Sequence, residues 1–216
     1  MFKKIIKLMT GPIRTGVTVS KSLLFLWLKK DLRSIKGELG IDLAGGSMLN
    51  KKFFITKKYI CVDLDEKKLI RGSNNYPDAL TVNDTIENYM GTYNKDKPDL
   101  LVCIQAMGIN EKFNHDQTLI VIKMIYDLLK PGGSMIFNIG NNMVNLNLIE
   151  TKLNELFNEK FKSIKIHSYG FMDKTVQKPS STLHFVLANL MNIFPPLRTC
   201  FGLKKTNIYC CFKKKL

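Results

Sequence analysis

The chain has 216 residues, which is enough for one domain of about 150–200 residues with extensions. An apolar fraction of 45% indicates a packed core and excludes global disorder. The five cysteines are odd in number and include no Cys-x-x-Cys pair, so we expect a reducing compartment, no disulfide framework and no zinc site. No cluster of metal-ligand residues is visible elsewhere in the sequence.

The formal net charge of +15 is distributed unevenly along the chain. Lysine and arginine concentrate in residues 1–36 and 160–216, whereas residues 37–159 are mildly acidic. Basic ends favour an anionic partner, either a phospholipid surface or a nucleic acid. A lysine-rich face that is merely solvated is the alternative interpretation.

Residues 1–36 are predicted to form a basic, amphipathic helical extension. Residues 1–9 are too short and too polar for a secretory signal, and no small-residue cleavage site follows them. A helix is predicted over 18–35, because apolar residues recur at helical spacing opposite lysines. Such a helix can cover a binding site as a lid or lie on a membrane surface, where tryptophan and lysine suit the interface. The apolar positions are Leu24, Trp27, Leu28, Leu32 and Ile35.

The pattern of residues 37–69 is typical of the start of a nucleotide-binding α/β sheet. A predicted strand over 38–43 breaks at a turn of small residues, 44–47, and a second strand over 59–64 reaches its end at Asp63. A small turn lets the backbone approach a ligand closely, and a carboxylate can accept hydrogen bonds from both hydroxyls of a ribose.

The rest of the chain continues this alternation of strands and helices. The run DLLVCI over 99–104 is continuously apolar, as is typical of a strand buried on both faces. Alternating elements imply a mainly parallel sheet with right-handed crossovers. Further strands are expected at 79–82, 99–104, 134–139, 161–168 and 206–212, and helices at 65–72, 115–129 and 146–159.

A long connection, 170–205, separates the last two predicted strands. It contains an apolar run over 181–196 that ends at two prolines. This run is too short and too polar to be read as a bilayer span. Both a buried helix and a helix that dips into one membrane leaflet stay open.

Four motifs, in this order, resemble those of the class I S-adenosylmethionine-dependent methyltransferases. The family's apolar-Asp-apolar-Gly-x-Gly-x-Gly motif corresponds to IDLAGGSM at 41–48, and its acidic strand end corresponds to Asp63. An acidic loop follows at 83–85, and a Lys-Pro-Gly-Gly turn at 130–133. The similarity covers residues 38–140 motif by motif, and extends more loosely to 213 by element order.

The resemblance implies that residues 37–216 form a methyltransferase domain, with 170–205 as an insertion between strands six and seven. The implied architecture is a three-layer α/β/α Rossmann-like sandwich with a mainly parallel seven-stranded sheet whose last strand is antiparallel. The glycine loop departs from the family at Ala44 and Met48, where the first and third glycines are usual. Alanine fits there if its φ stays negative. Met48 is bulkier than a close backbone approach normally allows.

The implied cofactor is S-adenosylmethionine. By the family pattern, Asp63 takes the ribose diol, and Asp84 accepts from the adenine amino group while the Thr85 backbone N–H donates to the ring. Asp42 orients the loop or binds the cofactor ammonium, and Asp65 is expected to cap a helix. The expected cofactor-binding residues are Asp42, Ala44, Gly45, Gly46, Asp63, Leu64, Asp84, Thr85, Gln105 and Ala106.

Candidate catalytic bases are sparse. Methyl transfer from a sulfonium is an in-line displacement, so alignment can supply much of the catalysis. The weak candidates are His115, His184 and Tyr169. If strand six is parallel to its neighbours, His184 and Tyr169 follow it at the carboxyl edge of the sheet, where the cofactor is expected.

The acceptor is predicted mostly by elimination. The sequence after strand four, IQAMGI, lacks the Pro-Pro-aromatic turn of amino-methylating nucleic-acid enzymes and the Pro-Cys pair of cytosine C5 enzymes. A small or lipid-like acceptor, such as an envelope lipid, a quinone precursor or a lipid-linked sugar, suits the basic and apolar flanks better. We therefore expect a cytoplasmic methyltransferase that can rest on the inner face of a membrane. An RNA methyltransferase and a catalytically silent protein of this fold are the alternatives.

Overall fold

The protein is described by a computed structural model over residues 19–109, 113–157, 159–169, 189–190, 193–194 and 207–216. The chain divides into two compact units, Lys29–Ser168 with Asn207–Leu216, and Met1–Leu28 with Tyr169–Thr206. The first unit contains the sheet. The predicted insertion at 170–205 lies almost wholly outside the described residues.

The described residues form seven strands and five α-helices. The strands are β1 (Lys36–Leu43), β2 (Ile55–Asp63), β3 (Leu80–Asn83), β4 (Leu100–Met107), β5 (Ser134–Gly140), β6 (Phe161–Tyr169) and β7 (Asn207–Lys214). The helices are α1 (Val19–Leu32), α2 (Glu66–Asn75), α3 (Ile86–Thr92), α4 (His115–Leu128) and α5 (Leu146–Phe157). Among these helices, none combines the length and the apolar character needed to cross a membrane.

The strands form one sheet in the order β3-β2-β1-β4-β5-β7-β6. The pairs β1–β2, β1–β4, β2–β3 and β4–β5 are parallel, and β5–β7 is antiparallel. The predicted seven-stranded Rossmann-like sheet with an antiparallel last strand is therefore confirmed. Strand β1 lies between β2 and β4, so the chain reverses its winding direction there. Ligands of open α/β sheets bind outside the carboxyl ends of the strands at such a point.

The burial of the strands follows their composition. Strands β4 and β5 are buried along almost their whole length, as the apolar run in β4 predicted. Strand β2 begins at Ile55, four residues earlier than predicted, because its lysine-rich first half is exposed and pairs with the start of β1. The short helix α3 was not predicted.

Helix α1 covers Val19–Leu32 of the predicted range 18–35, so Ile35 lies beyond its end. Its residues Leu24, Trp27, Leu28 and Leu32 are buried, whereas Lys29 and Lys30 are exposed.

The end of α1 is joined to the last strands by a buried acid. The Asp31 carboxylate accepts hydrogen bonds from Lys165 Nζ in β6 and from the Tyr209 hydroxyl in β7, each at 2.8 Å. Because Asp31 is 5% exposed, these two donors supply the hydrogen bonds that water would otherwise provide.

Candidate functional site

A cavity of about 980 Å³ lies at the carboxyl ends of β1, β2, β3 and β4. Parallel strands direct these ends to one edge of the sheet, and the helices that follow β2 and β3 begin there. Thirteen described residues line the cavity: Ala44, Val62, Asp63, Leu64, Lys68, Asp84, Thr85, Ile86, Glu87, Gln105, Ala106, Phe113 and Met143.

Seven of the ten predicted cofactor residues are among those lining residues. They are Ala44, Asp63, Leu64, Asp84, Thr85, Gln105 and Ala106. Asp42, near the end of β1, and Gly45 and Gly46 in the following loop do not line the cavity. The predicted residues that line the cavity are up to 62 positions apart in sequence and meet at one sheet edge.

The Asp63 carboxylate is fixed by two backbone donors. The Gly46 N–H donates to Asp63 Oδ2 at 2.8 Å, and the Asp65 N–H donates to Asp63 Oδ1 at 2.8 Å. A carboxylate oxygen can accept more than one hydrogen bond, so both oxygens retain capacity for a ligand hydroxyl. Asp65 caps α2 by accepting from the Lys68 N–H, as predicted.

The glycine loop is held in left-handed backbone conformations. Ala44 has a φ of +56° and Gly46 a φ of +52°, so the condition of a negative φ, under which alanine replaces glycine without strain, is not met at Ala44. An L-residue pays about 1–2 kcal/mol in that region. Gly45 is needed for space, because a Cβ there would lie 2.7 Å from Cys61 Sγ and 2.9 Å from Asp42 Cγ.

Met48 is directed away from the cavity. Its side chain is fully buried in a cluster with Tyr59, Cys61 and Leu69, below the loop. Although Met48 also has a positive φ, of +57°, its bulk does not occupy the side of the loop that faces the cavity.

A buried polar cluster supports the loop from beneath. Asp42 Oδ2 accepts from the Tyr59 hydroxyl at 2.9 Å and from Asn50 Nδ2 at 3.3 Å. Burial raises the pKa of Asp42 to about 7, although these two hydrogen bonds oppose the shift. Asp42 Oδ1 and Asn50 Oδ1 are both buried without a hydrogen-bond partner in the described chain.

The residues expected to read adenine are hydrogen-bonded to each other and to α3. The Thr85 N–H donates to Asp84 Oδ1 at 2.7 Å, and Asn88 Nδ2 donates to Asp84 Oδ2 at 2.7 Å. The Thr85 hydroxyl accepts from the Asn88 N–H as the N-cap of α3. Both oxygens of Asp84 therefore already have donors.

A bulge at the end of β4 turns Gln105 towards the cavity. The pairing of β4 with β5 shifts register between Cys103 and Met107, and Gln105 has a φ of +61°. Its N–H donates to Oδ1 of the buried Asn138 at 2.6 Å. Bulges commonly redirect a side chain beside a functional site. This one places Gln105 and Ala106 on the cavity wall.

Several lining residues were not predicted, namely Val62, Lys68, Ile86, Glu87, Phe113 and Met143. Lys68 lies three residues after Asp65 and pairs with its carboxylate at 3.0 Å, which helical spacing could have shown. Glu87 belongs to α3, the helix that sequence reasoning missed. Phe113 precedes α4 and Met143 follows β5, where the sequence shows no pattern that marks them.

The candidate bases are not gathered at the cavity in the described residues. His115 is the first residue of α4 and does not line the cavity, and its buried Nδ1 has no hydrogen-bond partner there. Tyr169 is the last residue of β6, and its side chain lies outside the description. His184 also lies outside the described residues. Within the described ranges, no three His, Cys, Asp or Glu residues converge on a metal-sized site.

Solved structures share the fold of this chain. No family model and no curated protein matches it. The plantazolicin methyltransferase BpumL, solved with S-adenosylhomocysteine (SAH), is similar over 100% of this chain and 92% of its own, with 12% identity and a TM-score of 0.60. The N-methyltransferase NodS from Bradyrhizobium japonicum is similar over 91% of this chain and 95% of its own, with 12% identity and a TM-score of 0.57. An rRNA methylase from Streptococcus thermophilus is similar over 94% of this chain and 99% of its own, with 14% identity and a TM-score of 0.57.

These similarities identify the class of fold. The chain has the class I S-adenosylmethionine-dependent methyltransferase fold, as its four motifs predicted. The cavity lies at the edge and at the switch point where open α/β sheets bind their ligands.

Proposed function

We propose that the protein is an S-adenosylmethionine-dependent methyltransferase that modifies a small or lipid-like acceptor. The observation that carries the proposal is the position of Asp63 at the cavity. Its carboxylate ends β2 beside the glycine loop and is held by the Gly46 N–H at 2.8 Å. A fixed carboxylate next to a close-packed loop suits a ribose diol joined to an amino-acid tail.

Each group of residues has a distinct part in this function. When bound, S-adenosylmethionine supplies a methyl group on a positively charged sulfur. Asp63 would accept hydrogen bonds from the ribose hydroxyls, and the exposed side chain of Leu64 would supply an apolar contact to the adenosine. Ala44 of the loop would hold the methionine end of the cofactor, and the bulge residues Gln105 and Ala106 would border the reacting centre. These contacts orient the methyl group, and orientation is a large part of catalysis by such enzymes.

Two neighbours favour different acceptors. BpumL is described with a triazolic desmethyl-plantazolicin analogue, which supports a small-molecule acceptor for a chain of this fold. The similarity to an rRNA methylase supports RNA as the second candidate, since the basic ends could follow phosphates. The same basic ends support a resting position on an anionic membrane surface. We favour the small or lipid-like acceptor because the motifs of nucleic-acid base enzymes are missing after β4.

A labelling experiment separates these acceptors. Purified protein is incubated with methyl-tritiated S-adenosylmethionine and a cell extract, which is then divided into organic-solvent, aqueous small-molecule, protein and RNA fractions. We expect label in one of the first two fractions, with no loss after ribonuclease treatment and about tenfold less label with the Asp63→Ala variant at a limiting cofactor concentration. Ribonuclease-sensitive label would favour the RNA alternative. Binding of the cofactor without label in any fraction would indicate a catalytically silent protein.

Vesicle sedimentation tests the membrane position separately. At low salt we expect the protein to pellet with vesicles that contain phosphatidylserine and to stay in solution with neutral vesicles, because the attraction is electrostatic. Equal sedimentation with both kinds of vesicle would contradict the proposed position on an anionic membrane surface.

A further inference from the structure

A second cavity, of about 380 Å³, lies at the edge of the sheet opposite the cavity proposed for the cofactor. Its lining includes Lys36, the first residue of β1, and Ser134, the first residue of β5. Lys213 of the antiparallel β7 is the cross-strand partner of Ser134, and Lys165 belongs to β6. The amino ends of parallel strands therefore meet at this space, which we call the amino-edge cavity.

Lysine side chains give the amino-edge cavity an unbalanced positive charge. Lys165 Nζ pairs with the buried Asp31 carboxylate at 2.8 Å, so its charge is matched. Lys36 and Lys213 are both exposed and form no ion pair with any acid in the described part of the chain. Two positive charges at this cavity thus have no carboxylate to balance them.

Asp99 also lines the amino-edge cavity, but its charge is already matched. Its Oδ1 pairs with the Lys130 ammonium. Its Oδ2 accepts from the backbone N–H groups of Glu38 at 2.8 Å and Leu39 at 3.0 Å. Because Lys130 balances this carboxylate, Asp99 does not cancel the charge of the two unpaired lysines.

Ser134 adds a neutral hydrogen-bond donor to these charges. The residue is 4% exposed, and its backbone N–H donates to the Asp99 carbonyl oxygen at 2.8 Å. Its hydroxyl makes no hydrogen bond to another residue within the described ranges. Buried hydroxyls normally have a partner, because burial without one costs free energy. Since Ser134 lines the cavity, a ligand in the cavity can supply the missing acceptor.

We propose that the amino-edge cavity binds a phosphate group, whose oxygens pair with Lys36 and Lys213 and accept from the Ser134 hydroxyl. A phosphate monoester carries a charge of about −1.5 to −2 at pH 7, which matches two unpaired lysines. Lysine binds phosphate as a point charge on a flexible stem, so the two exposed side chains can adjust to the ligand. A soluble phosphate ester and a phosphatidic-acid headgroup share this chemistry. The inference does not depend on what the cavity at the carboxyl edge binds.

Nuclear magnetic resonance of the isotope-labelled full chain tests the site, with inorganic phosphate as the probe at constant ionic strength. We expect saturable shifts of the backbone amide signals of Ser134 and Lys213 that fit one dissociation constant. Saturation with SAH should change this constant less than about twofold, because the two cavities lie at opposite edges of the sheet. Dimethyl phosphate, with a single charge, should bind at least about threefold more weakly.

A soluble short-chain phosphatidic acid, used below its micelle concentration, separates the two sources of phosphate. Affinity at least about tenfold above that of inorganic phosphate would assign the site to a lipid headgroup. Equal or lower affinity would assign it to a soluble phosphate ester. Either result supports a phosphate site.

Two variants test the proposed ligands of the phosphate. Lys36→Gln with Lys213→Gln should weaken phosphate binding at least about tenfold, on the scale of two lost charge-assisted contacts. The matched control Lys95→Gln with Lys123→Gln removes the same charge from exposed lysines outside the cavity, and should change affinity less than about twofold. Ser134→Ala should weaken binding about threefold or more. It should not lower the melting temperature in phosphate-free buffer, because the hydroxyl has no partner among the described residues to lose.

Three results would overturn the proposal. The first is the absence of saturable shifts at Ser134 and Lys213. The second is an equal loss of phosphate affinity in the control pair Lys95→Gln with Lys123→Gln, because the attraction would then reflect net charge alone. The third is displacement of phosphate by SAH, which would place the phosphate in the other cavity. Failure of SAH to bind would contradict the proposed function and leave the phosphate site intact.

Discussion

Met48 occupies the space that a side chain at position 72 would need. A Cβ atom on Gly72 would lie 2.8 Å from Met48 Cγ and 2.9 Å from Met48 Cε. Met48 follows the glycine loop, and Gly72 lies on the buried side of α2. Because Gly72 has no side chain, Met48 can pack against α2 instead of entering the cavity.

The first prediction concerns this pair. In Gly72→Ala the new methyl group meets the methionine side chain, and overpacking of this kind costs about 1–3 kcal/mol. We expect the free energy of unfolding to fall by about 1–2 kcal/mol net, even though alanine is the better helix former by about 0.5–1 kcal/mol. Urea denaturation followed by circular dichroism measures the change.

Gly91 provides a matched control for that prediction. It lies in α3, and a Cβ there would meet no atom within 4 Å. Gly91→Ala should therefore stabilise the protein by about 0.5–1 kcal/mol. If Gly72→Ala stabilised it equally, the contact with Met48 would have no energetic consequence. In the double variant Met48→Ala with Gly72→Ala, the two effects should be non-additive because the residues are in contact.

The second prediction concerns the strained alanine of the loop. Ala44 has a φ of +56°, which glycine adopts without a steric cost. We expect Ala44→Gly to leave stability unchanged or raise it by up to about 1 kcal/mol, because relief of strain opposes the greater flexibility of glycine in the unfolded chain. Affinity for S-adenosylmethionine should stay within about threefold, since the loop conformation is retained. A loss of stability above 1 kcal/mol would show that Ala44 is not strained.

The third prediction is a dependence of stability on pH that arises from Asp42. Its pKa is raised by burial from 3.8 to about 7 in the folded protein. Between these two values the folded state binds more protons than the unfolded state, so this group makes the protein less stable as the pH rises. The full effect across the window is on the order of 4 kcal/mol.

Asp42→Asn should remove this dependence. The amide oxygen can still accept from the Tyr59 hydroxyl, and the amide carries no titratable proton. We expect the difference in unfolding free energy between variant and wild type to grow in favour of the variant from pH 4.5 to 7.5 and to level off above. Parallel stability curves over that range would contradict the raised pKa.

Much of the architecture could be predicted from local signals. The continuous apolar run of β4, the proline and glycines after α4 and the acid at the end of β2 each reflect a short-range physical requirement. Their order then indicated the sheet and the edge where the cavity lies. For this reason Asp63 and Asp84, 21 positions apart in sequence, could be expected at one site.

The missed features depend on contacts that no local pattern records. Gly45 is enclosed by Cys61 and Asp42, and Met48 occupies the space left by the missing side chain at Gly72 in the next helix. The short helix α3 has too few residues for a periodic pattern, so Glu87 was not recognised. The hydrogen bond between Glu87 and Gln117 joins residues 30 positions apart.

The central claim is that the cavity binds S-adenosylmethionine through Asp63, and calorimetric titration tests it most directly. We predict saturable one-to-one binding that is tighter than that of adenosine. Asp63→Ala should weaken it at least tenfold, on the scale of about 1.5–3 kcal/mol for a charge-assisted hydrogen bond. Glu38→Ala removes an equal charge that pairs with Lys57 at the far end of β1, and should change affinity less than twofold. Binding no tighter than that of adenosine, or equal affinity in Asp63→Ala, would contradict the account.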